Sequence, residues 1–277
     1  MENTATALHL TGLSKVFGEG AAEVAAVSEV NLRVRVGEIV LIMGPSGSGK
    51  TTLLTMIAGL LRPTRGSITL FGQDITDLPE TRRTDLRRNY IGFVFQSFNL
   101  LGSLTALQNV QVALNVRGVR GREAEQKARE LLVRVGLGER LHFLPDVLSG
   151  GERQRVSIAR ALANDAPMIL ADEPTANLDS VNGREVVALL RDLARDDHRT
   201  VIIVSHDSRI REVADRILWL EDGRLKRRIA RRATPGPEAA QQPGSGGTPP
   251  ISPREASRTP EAPQPGTPAE EDTEPGN

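Results

Sequence analysis

Along residues 1–232 two hydrophobic periodicities take turns. Val30, Leu32, Val34 and Val36 alternate with Asn31, Arg33 and Arg35, the period-2 pattern of a strand with one buried face. Residues 39–43 are apolar without a break, as expected of a short strand covered on both sides. A glycine-rich turn follows, then TTLLTMIAGLL, which predicts a helix. Ile68 and Leu70 mark another alternating strand. Residues 104–140 predict helices, among them the amphipathic stretch GREAEQKARELLVRVG. Residues 168–171 and 201–204 are again apolar throughout, and strand signals recur at 217–220 and around Leu225. Strands alternating with helices predict an α/β fold, with a mostly helical insertion at about 97–160.

The pattern stops near residue 233. In residues 233–277 Ile251 is the only large aliphatic side chain, and 11 of the chain's 17 prolines fall there. Seven acids stand against two arginines in the same stretch. Such a composition buries too little apolar surface to offset its ordering entropy, so 233–277 predicts a disordered tail behind one folded domain at 1–232. Just ahead of the tail, Arg224, Lys226, Arg227, Arg228, Arg231 and Arg232 form a basic cluster. It suits the solvated end of an element, or a contact for anionic lipid or for the acidic tail itself.

Composition narrows the classes. Of 277 residues, 39% are hydrophobic and 25% charged, enough for a soluble core. The formal net charge is zero, which argues against a dedicated nucleic-acid binder. The absence of cysteine removes disulfides, cysteine metal sites and thiol nucleophiles. The first residues lack the basic and apolar segments of a secretory signal, and no stretch approaches the roughly 18 apolar residues of a membrane span. Any work at a membrane therefore needs a spanning partner chain.

Between the apolar run at 39–43 and the helix stands Gly44-Pro45-Ser46-Gly47-Ser48-Gly49-Lys50-Thr51, which satisfies GxxxxGK[ST] in the strand–turn–helix setting that motif requires. Glycines let successive N–H groups turn onto phosphates, and the following helix directs its positive end at the same anion. Lys50 then suits the β- and γ-phosphates, and the Thr51 hydroxyl a magnesium ion. Thr52 completes the run. Downstream, the strand at 168–171 delivers Asp172 and Glu173: the first toward the metal, the second placed to polarise an attacking water.

Leu148-Ser149-Gly150-Gly151-Glu152-Arg153-Gln154 precedes a helical stretch and sits upstream of the acidic pair. It resembles the LSGGQ signature of ATP-binding cassette ATPases. Ser149, Gly150 and Gly151 open a second helix, and in that family two subunits pair head to tail so that each signature closes over the partner's nucleotide. The resemblance extends over roughly residues 6–230. Gln96 in IGFVFQSFNL matches the Q-loop glutamine that contacts magnesium and water, Asp179 in ANLD the D-loop, and His206 in IIVSHD the switch histidine at the γ-phosphate. Phe17 aligns with the aromatic that stacks on adenine, where many relatives carry tyrosine.

The resemblance implies a RecA-like P-loop core with an antiparallel β subdomain and a helical signature subdomain. It further implies ATP and Mg²⁺ as ligands, and Lys50, Gln96, Glu173 and His206 as the hydrolytic set. GPSGSGKTTLL, RRNYIGFVFQSFNLLGSLTALQNV and LADEPTANLDS are similar to the group of macrolide-export, lipoprotein-release and glycolipid-export ATPases. That group implies a homodimer, or a pseudo-dimer with a paralogue, on the cytoplasmic face of the inner membrane. It also implies a separate membrane permease, with a periplasmic adaptor as a further candidate, and the segment FNLLGSLT as the docking surface. Two other readings share the motifs: a cassette ATPase that regulates cell-envelope or cell-division machinery through a permease-like partner, and a soluble cassette ATPase without transport.

Overall fold

The computed structural model describes residues 5–230. The predicted tail, and Arg231 and Arg232 of the basic cluster, lie outside them. Two sheets organise the chain. The first is antiparallel, with order β2-β1-β4-β5, from β1 (Thr6–Phe17), β2 (Val24–Arg35), β4 (Arg65–Leu70) and β5 (Gln73–Asp74). The second has order β10-β9-β3-β8-β7-β6, from β3 (Ile39–Met43), β6 (Ile91–Val94), β7 (Met168–Asp172), β8 (Thr200–Val204), β9 (Arg216–Glu221) and β10 (Arg224–Ala230). All its pairings are parallel except β9 with β10.

The helices are α1 (Lys50–Ile57), α2 (Glu80–Tyr90), α3 (Ala106–Val116), α4 (Gly121–Arg134), α5 (Gly150–Leu162) and α6 (Ser180–Arg195). The unbroken apolar run of β3 is explained by what covers it. Ile39, Leu41 and Met43 belong to a core shared with Val110 of α3, Leu132 of α4, Val156 of α5 and Leu190 of α6. Val40 and Ile42 point the other way, into a core with Leu53 of α1, Leu8 of β1 and Leu32 of β2. A strand with both faces buried cannot carry a polar face, and each such side chain contributes about 1.5–3 kcal/mol by leaving water.

Two expectations need adjustment. Val36 extends the alternating pattern but lies beyond the end of β2 and is exposed, because Gly37 takes φ 75 and turns the chain. The helical stretch at 104–140 is broken between α3 and α4, where Gly118 and Gly121 have φ 96 and 61. Thr105 starts α3 afresh with a reciprocal capping box to Gln108. Among the described residues, no helix is long and apolar enough to cross a membrane.

Candidate active site

The carboxyl ends of β3, β6, β7 and β8 meet at a cleft of about 560 Å³. The loop after β3 contributes Gly44, Pro45, Ser46, Gly47 and Gly49, and the first turn of α1 adds Lys50, Thr51 and Thr52. Gln96 comes from the loop after β6, Glu173 from the end of β7 and His206 from the end of β8. Residues separated by most of the domain thus share one wall because parallel strands end on the same edge.

The glycine-rich loop is held tightly. Gly47 and Gly49 have φ 77 and 94, which side-chain-bearing residues adopt only at a cost. A Cβ on Gly44 would lie 2.0 Å from the Leu220 carbonyl oxygen, and one on Gly49 2.1 Å from that of Ala26. Lys50 is 8% exposed, and its Nζ donates to the carbonyls of Gly44 (3.0 Å) and Pro45 (2.8 Å). An ammonium bonded to loop carbonyls rather than to carboxylates is placed to meet an anion. Ser48 is buried, and its hydroxyl makes no hydrogen bond among the described residues.

The two neighbouring acids diverge. Asp172 accepts a 3.0 Å hydrogen bond from Thr51 Oγ1. Burial raises its pKa, the charge of Glu173 adds to this, and the Thr51 hydrogen bond and the Lys50 charge oppose it. Glu173 has φ 44, a left-handed backbone uncommon for a residue with a Cβ. Its N–H donates to the Val204 carbonyl, and its carboxylate turns toward the end of β8. There Oε2 accepts from Ser205 Oγ at 2.9 Å and lies 3.0 Å from His206 Nδ1. One carboxylate therefore faces the Thr51 hydroxyl and the other the histidine.

Among the described residues, no group of three or more histidine, cysteine or acidic side chains could cage a metal. The Thr51–Asp172 pair supplies hard oxygen donors only, which suits magnesium, an ion that keeps waters and phosphate oxygens as its other ligands.

The signature residues stand apart from this cleft. Ser149 caps α5, accepting from the Glu152 N–H while the Glu152 carboxylate accepts from the Ser149 N–H. The Ser149 amide and then the Arg140 guanidinium, 2.9 Å away, hold Glu152 below the usual carboxylate range against a partial burial. A Cβ on Gly150 would sit 3.2 Å from the Asn177 carbonyl, and one on Gly151 2.0 Å from Asn182 Oδ1, so the start of α5 packs on the start of α6. Asp179 caps α6 through the N–H groups of Val181 and Asn182. Phe17 closes β1, is exposed, and carries the Lys15 ammonium 5.2 Å from its ring centre; it does not line the cleft.

Ala26 lines the cleft without any sequence signal, because only its backbone matters there. Beside His206, Ser205 bonds the Glu173 carboxylate, Asp207 accepts from Thr175, and Arg209 bonds Asp207; SHD at a strand terminus was the one trace of this group in the sequence.

A phosphate-cradling loop with a buried lysine, and a carboxylate–histidine pair opposite it, define a P-loop nucleotide hydrolase. The model of the ABC transporter family matches residues 27–176. An uncharacterised ABC transporter ATP-binding protein of Thermotoga maritima is 44% identical over 219 residues, covering 79% of this chain and 93% of that one. The macrolide export ATP-binding/permease protein MacB of Salmonella typhimurium is 45% identical over 218 residues; the match is 79% of this chain but 34% of MacB, so the chain spans about a third of that relative. A solved dimer of the ATP-binding cassette MJ0796, in a post-hydrolysis state with ADP and Pi, superposes with a TM-score of 0.77 at 41% identity, covering 82% of this chain and all of that one. The chain belongs to the ABC transporter family and is one of its ATPases.

Proposed function

We propose that two copies of this chain close on two ATP molecules, each held between one copy's 44–51 loop and the other copy's Ser149–Gly151 turn, and that the closure drives a separate membrane permease. The observation that carries this reading is the separation within one chain of two helix starts suited to phosphate. One lies in the cleft with Lys50, Thr51 and Glu173; the other, at Ser149, lies outside it. The capping box uses Ser149 Oγ only as an acceptor and leaves its proton to donate outward. The dimeric state of the MJ0796 cassette supports the same arrangement.

In the cleft the loop amides and Lys50 orient the phosphates. Thr51, Asp172 and the Gln96 side chain would hold magnesium, which would supply charge neutralisation at the phosphate oxygens. Glu173 Oε2, fixed by Ser205 and His206, orients a water and takes its proton, and His206 faces the γ-phosphate. Positioning and charge stabilisation carry most of the rate.

The docking surface for the permease is the groove between α2–β6 and α3–α5, of about 310 Å³, with Arg87, Phe93, Val116 and Arg160 on its walls. The Phe98 carbonyl accepts from Arg160 at 2.8 Å, so the FNLLGSLT segment adjoins that groove, with Leu101 exposed beside it. Likeness to the macrolide export protein MacB favours export as the load; lipid or lipoprotein extraction, and a place at the cytoplasmic face of the inner membrane, rest on the motif resemblance alone.

Size-exclusion chromatography of Glu173→Gln with MgATP tests the composite site: a dimer is expected, and a monomer at saturating ATP sinks it. Copurification from detergent-solubilised membranes, with a permease identified by mass spectrometry, tests the load.

A further inference from the structure

We infer that Arg209 is a positioning residue that clamps the His206 loop to the start of α6, so that the hydrolytic pair and the Asp179 turn move as one piece. The His206 loop and the start of α6 meet at its guanidinium. Nε lies 3.0 and 2.8 Å from the two carboxylate oxygens of Asp207, and Nη2 lies 2.7 Å from Oδ2. Nη1 reaches the Asp179 carbonyl at 3.3 Å. The group lies flat over Gly183 in the first turns of α6, where a Cβ would come within 2.4 Å of Nη1 and 2.7 Å of Cζ.

Each end of this clamp continues into working parts. Asp207 also accepts from Thr175 Oγ1 at 2.6 Å, two residues after Glu173. Its N–H donates to Ser205 Oγ, the same hydroxyl that bonds the Glu173 carboxylate. On the other side, the Asp179 carboxylate accepts from Asn182 Nδ2 at 2.6 Å, and Asn182 Oδ1 occupies the space where Gly151 lacks a Cβ. Contacts therefore run without a gap from the Glu173–His206 pair, through Arg209, to the signature glycine. Only a planar fork can bond a carboxylate side-on, reach a carbonyl and lie on a glycine at once; a lysine cannot. This rests on the proposed roles of Glu173 and the signature: given them, the clamp ties the state of one nucleotide site to the element that closes the other.

Steady-state ATPase kinetics, ATP affinity and thermal melting of four variants test it: Arg209→Ala, Arg209→Lys, Gly183→Ala, and the Gly183→Ala/Arg209→Ala double. Arg209→Ala and Gly183→Ala each lower kcat about tenfold and leave KM for ATP within about twofold. Gly183→Ala melts no lower than wild type, since alanine is favoured over glycine in a helix, and so separates positioning from folding. Arg209→Lys does not rescue. The double variant is no slower than Arg209→Ala, because the methyl then meets no guanidinium. Wild-type kcat in Gly183→Ala, or additive losses in the double, overturns the clamp. If instead Glu173→Gln hydrolyses ATP at the wild-type rate, the assignment of the hydrolytic pair has failed, whatever Arg209 does.

Discussion

Thr51 Oγ1 donates to Asp172 Oδ1 across 3.0 Å, joining two residues that lie 121 positions apart. The bond stitches the first turn of α1 to the end of β7. It also places two oxygens where a hard cation can replace the shared proton.

A first prediction follows from the surroundings of Asp172. Burial, helped by the Glu173 charge, raises its pKa. The folded state then holds the proton more tightly than the unfolded chain. Stability therefore falls as pH rises from the ordinary carboxylate value to the raised one, and stays at the lower level above it. At pH 7 in the absence of nucleotide, Asp172→Asn is expected to raise the melting temperature, and the gain to vanish in acid where both states are protonated. ATPase activity is expected to fall about 100-fold or more if, as proposed, the carboxylate serves the metal. A lower melting temperature at pH 7 would mean that Lys50 and Thr51 outweigh burial.

Lys50→Ala is expected to reduce kcat by roughly 1,000-fold, on the scale of losing a principal transition-state charge. It also strips the Gly44 and Pro45 carbonyls of their donor, so a lower melting temperature accompanies the loss. A coupled ATPase assay and a melt read both. Turnover within tenfold of wild type removes the loop from hydrolysis.

Ser149 serves the fold as a cap and, on the proposed reading, the partner's nucleotide as a donor. Alanine there costs about 1 kcal/mol of stability, whereas asparagine caps as well as serine. Ser149→Ala and Ser149→Asn are both expected to lose hydrolysis, and only the former to lose stability. Mixed dimers with one intact signature keep part of the activity. Full activity in a dimer with neither signature contradicts the composite site.

Glu152 puts a carboxylate at the start of a helix that, on the proposed reading, meets the partner's nucleotide, and Arg140 compensates it at 2.9 Å. Arg140→Ala should therefore raise KM for ATP by roughly 3- to 10-fold, most at low ionic strength. Adding Glu152→Gln in the same chain should reverse much of the change. KM values that do not respond to salt would show that Arg140 acts through its stacking on Phe143 instead.

Sequence revealed most where local pattern and chemistry coincide. The run at β3, the glycine loop and the lysine form one contiguous block, and each of its parts constrains the others. The ends of β7 and β8 were legible because an apolar run gives way to a charged or titratable residue, to Asp172 directly in one case and to His206 after Ser205 in the other. The contribution of Ala26 was not legible, since its backbone carbonyl walls Gly49 and carbonyls carry no sequence mark. Arg209 was invisible for a different reason. It reads as one more surface base, and its partners Asp179 and Gly183 become neighbours only when the end of β8 and the start of α6 come together. That Phe17 does not line the cleft could not be read either, because β1 passes through several register shifts on the way to it.

The glycine loop leans on parts made at opposite ends of the domain. Gly44 presses on the Leu220 carbonyl and Gly49 on that of Ala26, and the Gly223 N–H bonds the Ser48 carbonyl at 3.2 Å. During synthesis the loop leaves the ribosome roughly 170 residues before that hairpin does, some tens of seconds at ordinary elongation rates. Until Leu220 and Gly223 arrive, the loop has no rear wall. Nascent chains stalled before and after the β9–β10 hairpin should thus differ in their retention on immobilised ATP, and competence for nucleotide becomes a late checkpoint on a finished domain.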